Sequence, residues 1–367
     1  MLLVSRPPDL DTDAVLGVAE GLDLVLISDD EVLIQFGLRS RPSELLRDQD
    51  VSGLLGRTIG RVLQGSATVG ELLAQARPGQ EGDARALLVD LIERGILTNP
   101  IVSPIEQYIR YTFTGQSQLA TSQVAVLGAG PLGARVAQDL LQHGIAGLTL
   151  LDDRLIDSSY RAYMPFRLNK NQEGMRADIA LCEALGSTAR TLDARLDAAG
   201  IEAAMLEADL AVLVLEQPDL RTAHLVNRYA IRERKPWLLA TIDGNFGMVG
   251  PLFLPVETAC YNDYRTLAFA ATPNRGMARK HREYLLEHRG TGSFFTGLPS
   301  YAEIVAGHTS LAAVHFLLRG SCFALGRVMV IDFDHMQFDV EDVLKLPRCP
   351  VCGTQKNVYR PPMSAAI

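Results

Sequence analysis

Two groups of residues in this 367-residue chain have the types and spacing that chemistry requires. The first is Gly128-Ala-Gly130-Pro-Leu-Gly133, preceded by the apolar run 124–127 and followed by the run 148–151 and Asp152. Gly128 permits a tight turn, Gly130 lets backbone approach a phosphate, and Gly133 lets the next helix pack on the strand. The first turn of that helix offers unpaired N–H groups and the positive end of a dipole to an anion. Asp152 stands where a carboxylate accepts from ribose hydroxyls, so the pattern predicts a nucleotide-binding strand–turn–helix–strand, for NAD or for ATP. The second group is Cys349-Pro-Val-Cys352-Gly353, two thiols on a turn and half of a tetrahedral zinc site. Upstream, Cys260 and Asp263 repeat that spacing with a carboxylate in place of the second sulfur. Cys260, Asp263, Cys349 and Cys352 are the expected structural zinc set, against an empty or disulfide-bonded knuckle. Cys182 and Cys322 read as small buried apolar residues. The seven histidines form no pair at metal spacing, and Gly-x-Ser-x-Gly, Walker A and His-Glu-x-x-His motifs are absent.

The elements that must position these residues follow from hydrophobic periodicity. From residue 123 strands and helices alternate: strands at 124–127, 148–151, 210–215 and 237–241, helices at 132–143, about 174–185 and 223–233. This is an α/β, Rossmann-like doubly wound parallel sheet spanning 123–367. Strands at 252–254 and within 327–338 give it a β-rich C-terminal part. Residues 266–300, rich in Arg, Gly and Ser, are expected as a crossover loop. Ahead of it, 1–98 read as a small winged-helix-like α+β module. A hairpin (22–27 and 31–36) and a third strand (39–46) precede helices at 51–63, after Thr68 with its capping-box Glu71, and at 83–94. Residues 99–122, with Pro100 and Pro104, read as a linker containing one helix.

Composition bounds the partners. Residues 1–100 hold nine arginines, no lysine and sixteen acidic residues, a balance of −7 that disfavours nucleic acid. The apolar run 310–318 is cut by Arg319 and Gly320 and is too short for a bilayer. With a start unlike a signal peptide and an odd number of cysteines, no membrane partner and a cytoplasmic location are expected.

Residues 123–353 resemble the ThiF/HesA superfamily, the fold of ubiquitin-activating and sulfur-carrier-adenylating enzymes. The resemblance rests on the glycine loop, the strand ending at Asp152, Ser158-Ser159, the strand 210–215, Cys260-Tyr261 and the terminal Cys-Pro-Val-Cys-Gly. In adenylating members, it implies, ATP lies in the loop with Asp152 on its ribose. This chain departs from the family at three points. Tyr160 replaces the family's Asn, and Arg161 stands two positions early for its Arg; Arg176 replaces a Lys; Glu216 replaces the Mg²⁺-binding Asp. Phosphoryl chemistry depends on exact placement of charge, so these changes argue against adenylation, with Glu216, Arg161 and Arg176 the residues to carry it if retained.

Residues 1–98 resemble a PqqD-like leader-peptide recognition element, which adds an extended peptide as a strand beside its third strand and third helix. Here that implies Arg39, Arg41, Arg47 and Arg85 as partners for acidic leader residues and Leu45, Leu87 and Leu91 as apolar anchors. The whole chain is thereby similar to the leader-peptide-binding proteins of thiazole/oxazole-modified microcin pathways, also called cyclodehydratase C or ocin-ThiF-like. In these, a separate YcaO protein consumes ATP to form azolines. The resemblance implies a precursor leader peptide and a YcaO-type cyclodehydratase as partners, and a homodimer is common for such domains. Alternative readings are an ATP-dependent adenylating enzyme acting on a peptide or carrier C-terminus, and an NAD-dependent oxidoreductase.

Overall fold

Alternating burial shapes the N-terminal hairpin: Leu22 and Leu24 on one strand and Val32 and Ile34 on the next turn inward, while Val25 and Ile27 stay exposed. The structure is a computed structural model describing residues 10–37, 44–113, 118–165, 167–168, 170–186, 188–217, 219–287 and 297–353. The chain divides into two units, 1–117 and 118–367.

The first unit contains β1 (Val15–Val18), β2 (Leu22–Ser28), β3 (Glu31–Phe36), β4 (Glu44–Arg47), α1 (Leu54–Leu63), β5 (Ala67–Thr68), α2 (Val69–Leu73), α3 (Glu81–Glu93), β6 (Leu97–Thr98) and α4 (Pro104–Phe113). Two antiparallel three-stranded sheets form, in orders β2-β3-β4 and β5-β1-β6. Thr68 and Glu71 make the reciprocal capping box expected from their spacing. Leu55, Ile59 and Val62 of α1 and Leu88 and Leu91 of α3 join the hairpin's inward residues in one core. Each such side chain contributes about 1.5–3 kcal/mol by leaving water. The helix expected within a linker belongs to this unit. On α4, Gln107 Oε1 accepts from the Glu20 amide at 2.8 Å, and Tyr108 and Tyr111 lie 5.7 Å from the Phe36 ring.

The second unit contains β7 (Gln123–Leu127), α5 (Pro131–Gln142), β8 (Gly147–Leu151), α6 (Ser158–Tyr163), α7 (Ala177–Leu185), β9 (Ala189–Thr191), α8 (Ala198–Leu206), β10 (Leu210–Leu215), α9 (Leu220–Glu233), β11 (Trp237–Asp243), β12 (Phe246–Phe253), α10 (Tyr261–Ala271), α11 (Arg275–Glu287), α12 (Pro299–Arg319), β13 (Arg327–Asp332) and β14 (Gln337–Asp342). Its eight-stranded sheet runs β14-β13-β12-β11-β10-β7-β8-β9, parallel from β11 to β9 and antiparallel from β11 to β14. Strand order reverses between β7 and β10, so their carboxyl ends frame the crevice where α/β sheets bind ligands.

Two expectations need correction here. Much of 266–300 is helical: α10 runs to Ala271, α11 covers Arg275–Glu287, and α12 starts at Pro299, with 288–296 outside the described residues. The segment 327–338 is not one strand but β13 and the start of β14, folded back at 333–336.

Candidate functional site

The glycine loop forms as its spacing requires. Gly128 has a φ of 111° and its amide donates to the Leu151 carbonyl at 3.0 Å, while Gly130 caps α5, with Pro131 at the helix's first position. A Cβ on Gly133 would run into the Gly128 carbonyl. Gly133→Ala is therefore expected to lower stability by about 2–3 kcal/mol, read from the urea midpoint, with Gly144→Ala as a control for strained backbone in open space. An unchanged midpoint for Gly133→Ala would show that the strand and helix are not in close contact.

What fills the loop is the chain itself. The Asp152 carboxylate is fully buried and accepts from the Ala129 amide at 2.7 Å and the Arg154 amide at 3.1 Å. The Arg154 guanidinium also donates to it, Nε to Oδ1 at 2.9 Å and Nη2 to Oδ2 at 2.6 Å. Burial opposes charge on Asp152, but Arg154 and these hydrogen bonds hold its carboxyl below the ordinary value. From the end of β10, Glu216 reaches across Gly130, where a Cβ would strike its carboxylate, and accepts from the amides of Leu132 and Gly133. It thus occupies the helix terminus that an external anion would take. Its Oε2 is buried without a hydrogen-bond partner, and burial, offset in part by Arg154, pushes its carboxyl up to about 7. Tyr160, also buried, donates its hydroxyl to the Ala129 carbonyl.

The residues present do not fit ATP in this arrangement. The Ala129, Leu132 and Gly133 amides serve internal carboxylates, and Asp152 is committed to Arg154. Arg176 is held elsewhere, donating to Asp178 and the Ala194 carbonyl, each at 2.7 Å. Arg161 lies 3.8 Å from Glu173. Sequence reasoning missed Arg154, whose signal is its position two residues beyond Asp152. It also missed Asp178, a buried carboxylate that accepts from the Asp152 amide at 3.1 Å, the Thr191 hydroxyl at 2.9 Å and Arg176.

The second constellation closes as expected. Ligand atoms of Cys260, Asp263, Cys349 and Cys352 all lie within 4.8 Å of one another. Cys260 caps α10, its amide donating to Asp263 Oδ2 at 3.1 Å. Gly353 closes the knuckle, its amide donating to the Cys349 carbonyl at 2.9 Å. The Cys260 and Cys349 sulfurs are 3.7 Å apart, too far for a disulfide. Tetrahedral bonds of about 2.3 Å would set two sulfurs about 3.8 Å apart, so the spacing suits a metal. Asp263 Oδ1 is buried without a hydrogen-bond partner, and the Asn262 amide group donates to Cys349 Sγ at 3.4 Å. Burial pushes the Cys260 thiol up to about 11 and raises the Cys352 thiol further, with the Asp263 carboxylate adding to both. This buried cluster can bind a metal ion.

In the first unit a groove of about 320 Å³ runs between β4 and α3, lined in part by Leu46, Leu54, Leu55 and Leu87. Arg47 also lines it but pairs with Glu31 at 2.9 Å. Successive strand residues face opposite ways, so Leu46 rather than Leu45 faces the groove, and Leu45 is exposed. Leu91 is in the core, Arg85 is exposed and outside the groove lining, and Arg39 and Arg41 lie outside the described residues.

Comparison with known proteins agrees with this geometry. HesA from Nostoc sp. strain PCC 7120 is 23% identical over 250 residues, covering 65% of this chain and 87% of that protein. Escherichia coli MccB, solved with ATP, shares the fold at a TM-score of 0.61 and 16% identity, covering 92% of this chain and 100% of its own. The heterocyclase TruD does so at 0.59 and 17%, covering 93% of this chain and 43% of its own. Residues 106–352, well over half the chain, match the ThiF family, and with the glycine-loop sheet and cysteine knuckle in place, the chain belongs to it.

Proposed function

We propose that this chain is the leader-peptide-binding partner of a YcaO-type azoline-forming cyclodehydratase in ribosomal peptide natural-product biosynthesis. The observation that carries the reading is the β4–α3 groove, a sheet edge beside a helix with an apolar floor. In this reading residues 1–98 act as a PqqD-like recognition element. β4 pairs with β3 on one side, so an extended peptide can add as a fourth strand and place alternate side chains against Leu46, Leu54 and Leu87. Holding the leader raises the local concentration of the attached core peptide at the partner's active site. The self-filled glycine loop supports a role without chemistry of its own. MccB has been solved in complex with N-formylated MccA, and TruD is a heterocyclase, which favours a peptide-modifying context. Zinc is the metal proposed for the knuckle, since three cysteine sulfurs and a carboxylate oxygen within 4.8 Å of one another suit it.

The second reading, an adenylating enzyme acting on a peptide terminus, is favoured by MccB having been solved with ATP. ATP–pyrophosphate exchange in the presence of the precursor peptide separates the two. The expected result is exchange no faster than without peptide. Peptide-dependent exchange abolished by Glu216→Ala would establish the enzyme instead.

A further inference from the structure

The charge on the groove is unlike its apolar floor. Among the residues lining it are Asp48, Asp50, Asp83 and Asp90, with Arg47 the one basic residue among them. Arg47 is neutralised by Glu31 at 2.9 Å on the neighbouring strand, directly opposite it in register. Asp90 is 3.3 Å from Arg94, which it shares with Glu44 at 2.5 Å, so that end keeps a net negative charge. Asp48 is held by the Ser52 hydroxyl at 2.6 Å. Asp50 and Asp83 are exposed, and their carboxylates have no partner among the described residues. Arg57, near the floor, donates to the Gln75 and Ser52 carbonyls and to Gln80 and does not line the groove.

We infer that the occupant is an extended peptide whose apolar side chains alternate with basic ones, Lys or Arg facing Asp50 and Asp83. The inference rests on the peptide-binding reading above and names the peptide class. An acidic segment would bring like charges against the same rims, whereas a basic one meets complementary potential on approach and in place. Strand addition supplies affinity through backbone hydrogen bonds and leaves selection to the side chains, so rim charge decides which sequences are kept.

The test is selection of displayed random peptides, about twelve residues long, on the full chain, followed by rescreening on a Leu87→Asp variant. Clones that lose binding on that variant define the groove-dependent set. A thermal melt confirms that the variant is folded, and Leu46→Asp replaces it if it is not. The expected set is enriched in Lys and Arg over Asp and Glu. A synthetic peptide from it should bind about tenfold more weakly to Asp50→Asn/Asp83→Asn, and more weakly as salt is raised. A groove-dependent set that is acidic or without charge bias overturns the basic-peptide inference and leaves the peptide-binding reading standing. A library that yields no groove-dependent clone overturns both.

Discussion

Cys349→Ser should strip stoichiometric zinc from the purified chain and lower its melting temperature by roughly 10 °C. The expectation follows from what the four ligands join. Cys260 and Asp263 sit at the start of α10, while Cys349 and Cys352 lie about ninety residues later, just before the end of the described chain. In the proposed reading, an ion between them would fix the knuckle to the start of α10. Without it, two buried cysteines, the half-buried Cys352 and an orphaned carboxylate oxygen would lack their partner. Binding at a thousandfold excess over Kd contributes about 4 kcal/mol to the folded state. In a unit of this size that is roughly the melting shift given. Cys182→Ser and Cys322→Ser should leave the zinc content unchanged, and Asp263→Cys should retain it. Full zinc occupancy in Cys349→Ser would show that the metal is held elsewhere.

Glu216→Gln should stabilise the chain at pH 8 and leave it nearly unchanged at pH 4.5. In the fold, burial holds the Glu216 carboxyl at about 7, against an ordinary value of 4.5. Between those values the folded chain keeps a proton that the unfolded chain has lost, so stability falls as pH rises through that window and levels off above it. The separation corresponds to about 3 kcal/mol, or roughly 5–10 °C in melting temperature at pH 8. Glutamine has the same shape and still offers a carbonyl to the Leu132 amide, so it removes the titration and preserves the contact. Equal pH profiles for the two proteins would mean that Glu216 does not lie buried over Gly130. This experiment bears on function, because the same carboxylate occupies the anion position of the glycine loop.

Local spacing made both constellations legible before any coordinates. Two glycines and a following acid determine a turn, and Cys-x-x-Cys determines a knuckle, through contacts among near neighbours. Asp263 was legible for the same reason, three residues from Cys260. The closure of Arg154 over Asp152 was not, because a charged residue two positions on reads as solvated surface. Nor was the reach of Glu216 over Gly130, which depends on β10 lying beside β7 rather than on any local pattern. The long α12 went unread because its buried face is built largely from small residues, Ala302, Ala306, Thr309 and Ala313 among them, which give little hydrophobic contrast. For α11 the difficulty was an Arg-rich sequence in which none of residues 275–284 is buried. β14 is exposed along its length at a sheet edge, where burial imposes no pattern. In the groove, the strand's parity decides between Leu45 and Leu46, and parity becomes known only once the register with β3 is seen.

The most direct measurement is a fluorescence titration of the full chain with a labelled leader peptide taken from any short precursor gene that adjoins its own. The wild-type chain should saturate, and Leu87→Asp should weaken binding more than tenfold while its fold and zinc content are retained. Leader binding that is unchanged by Leu87→Asp and by Leu46→Asp would contradict the β4–α3 groove as the place where this protein holds its peptide.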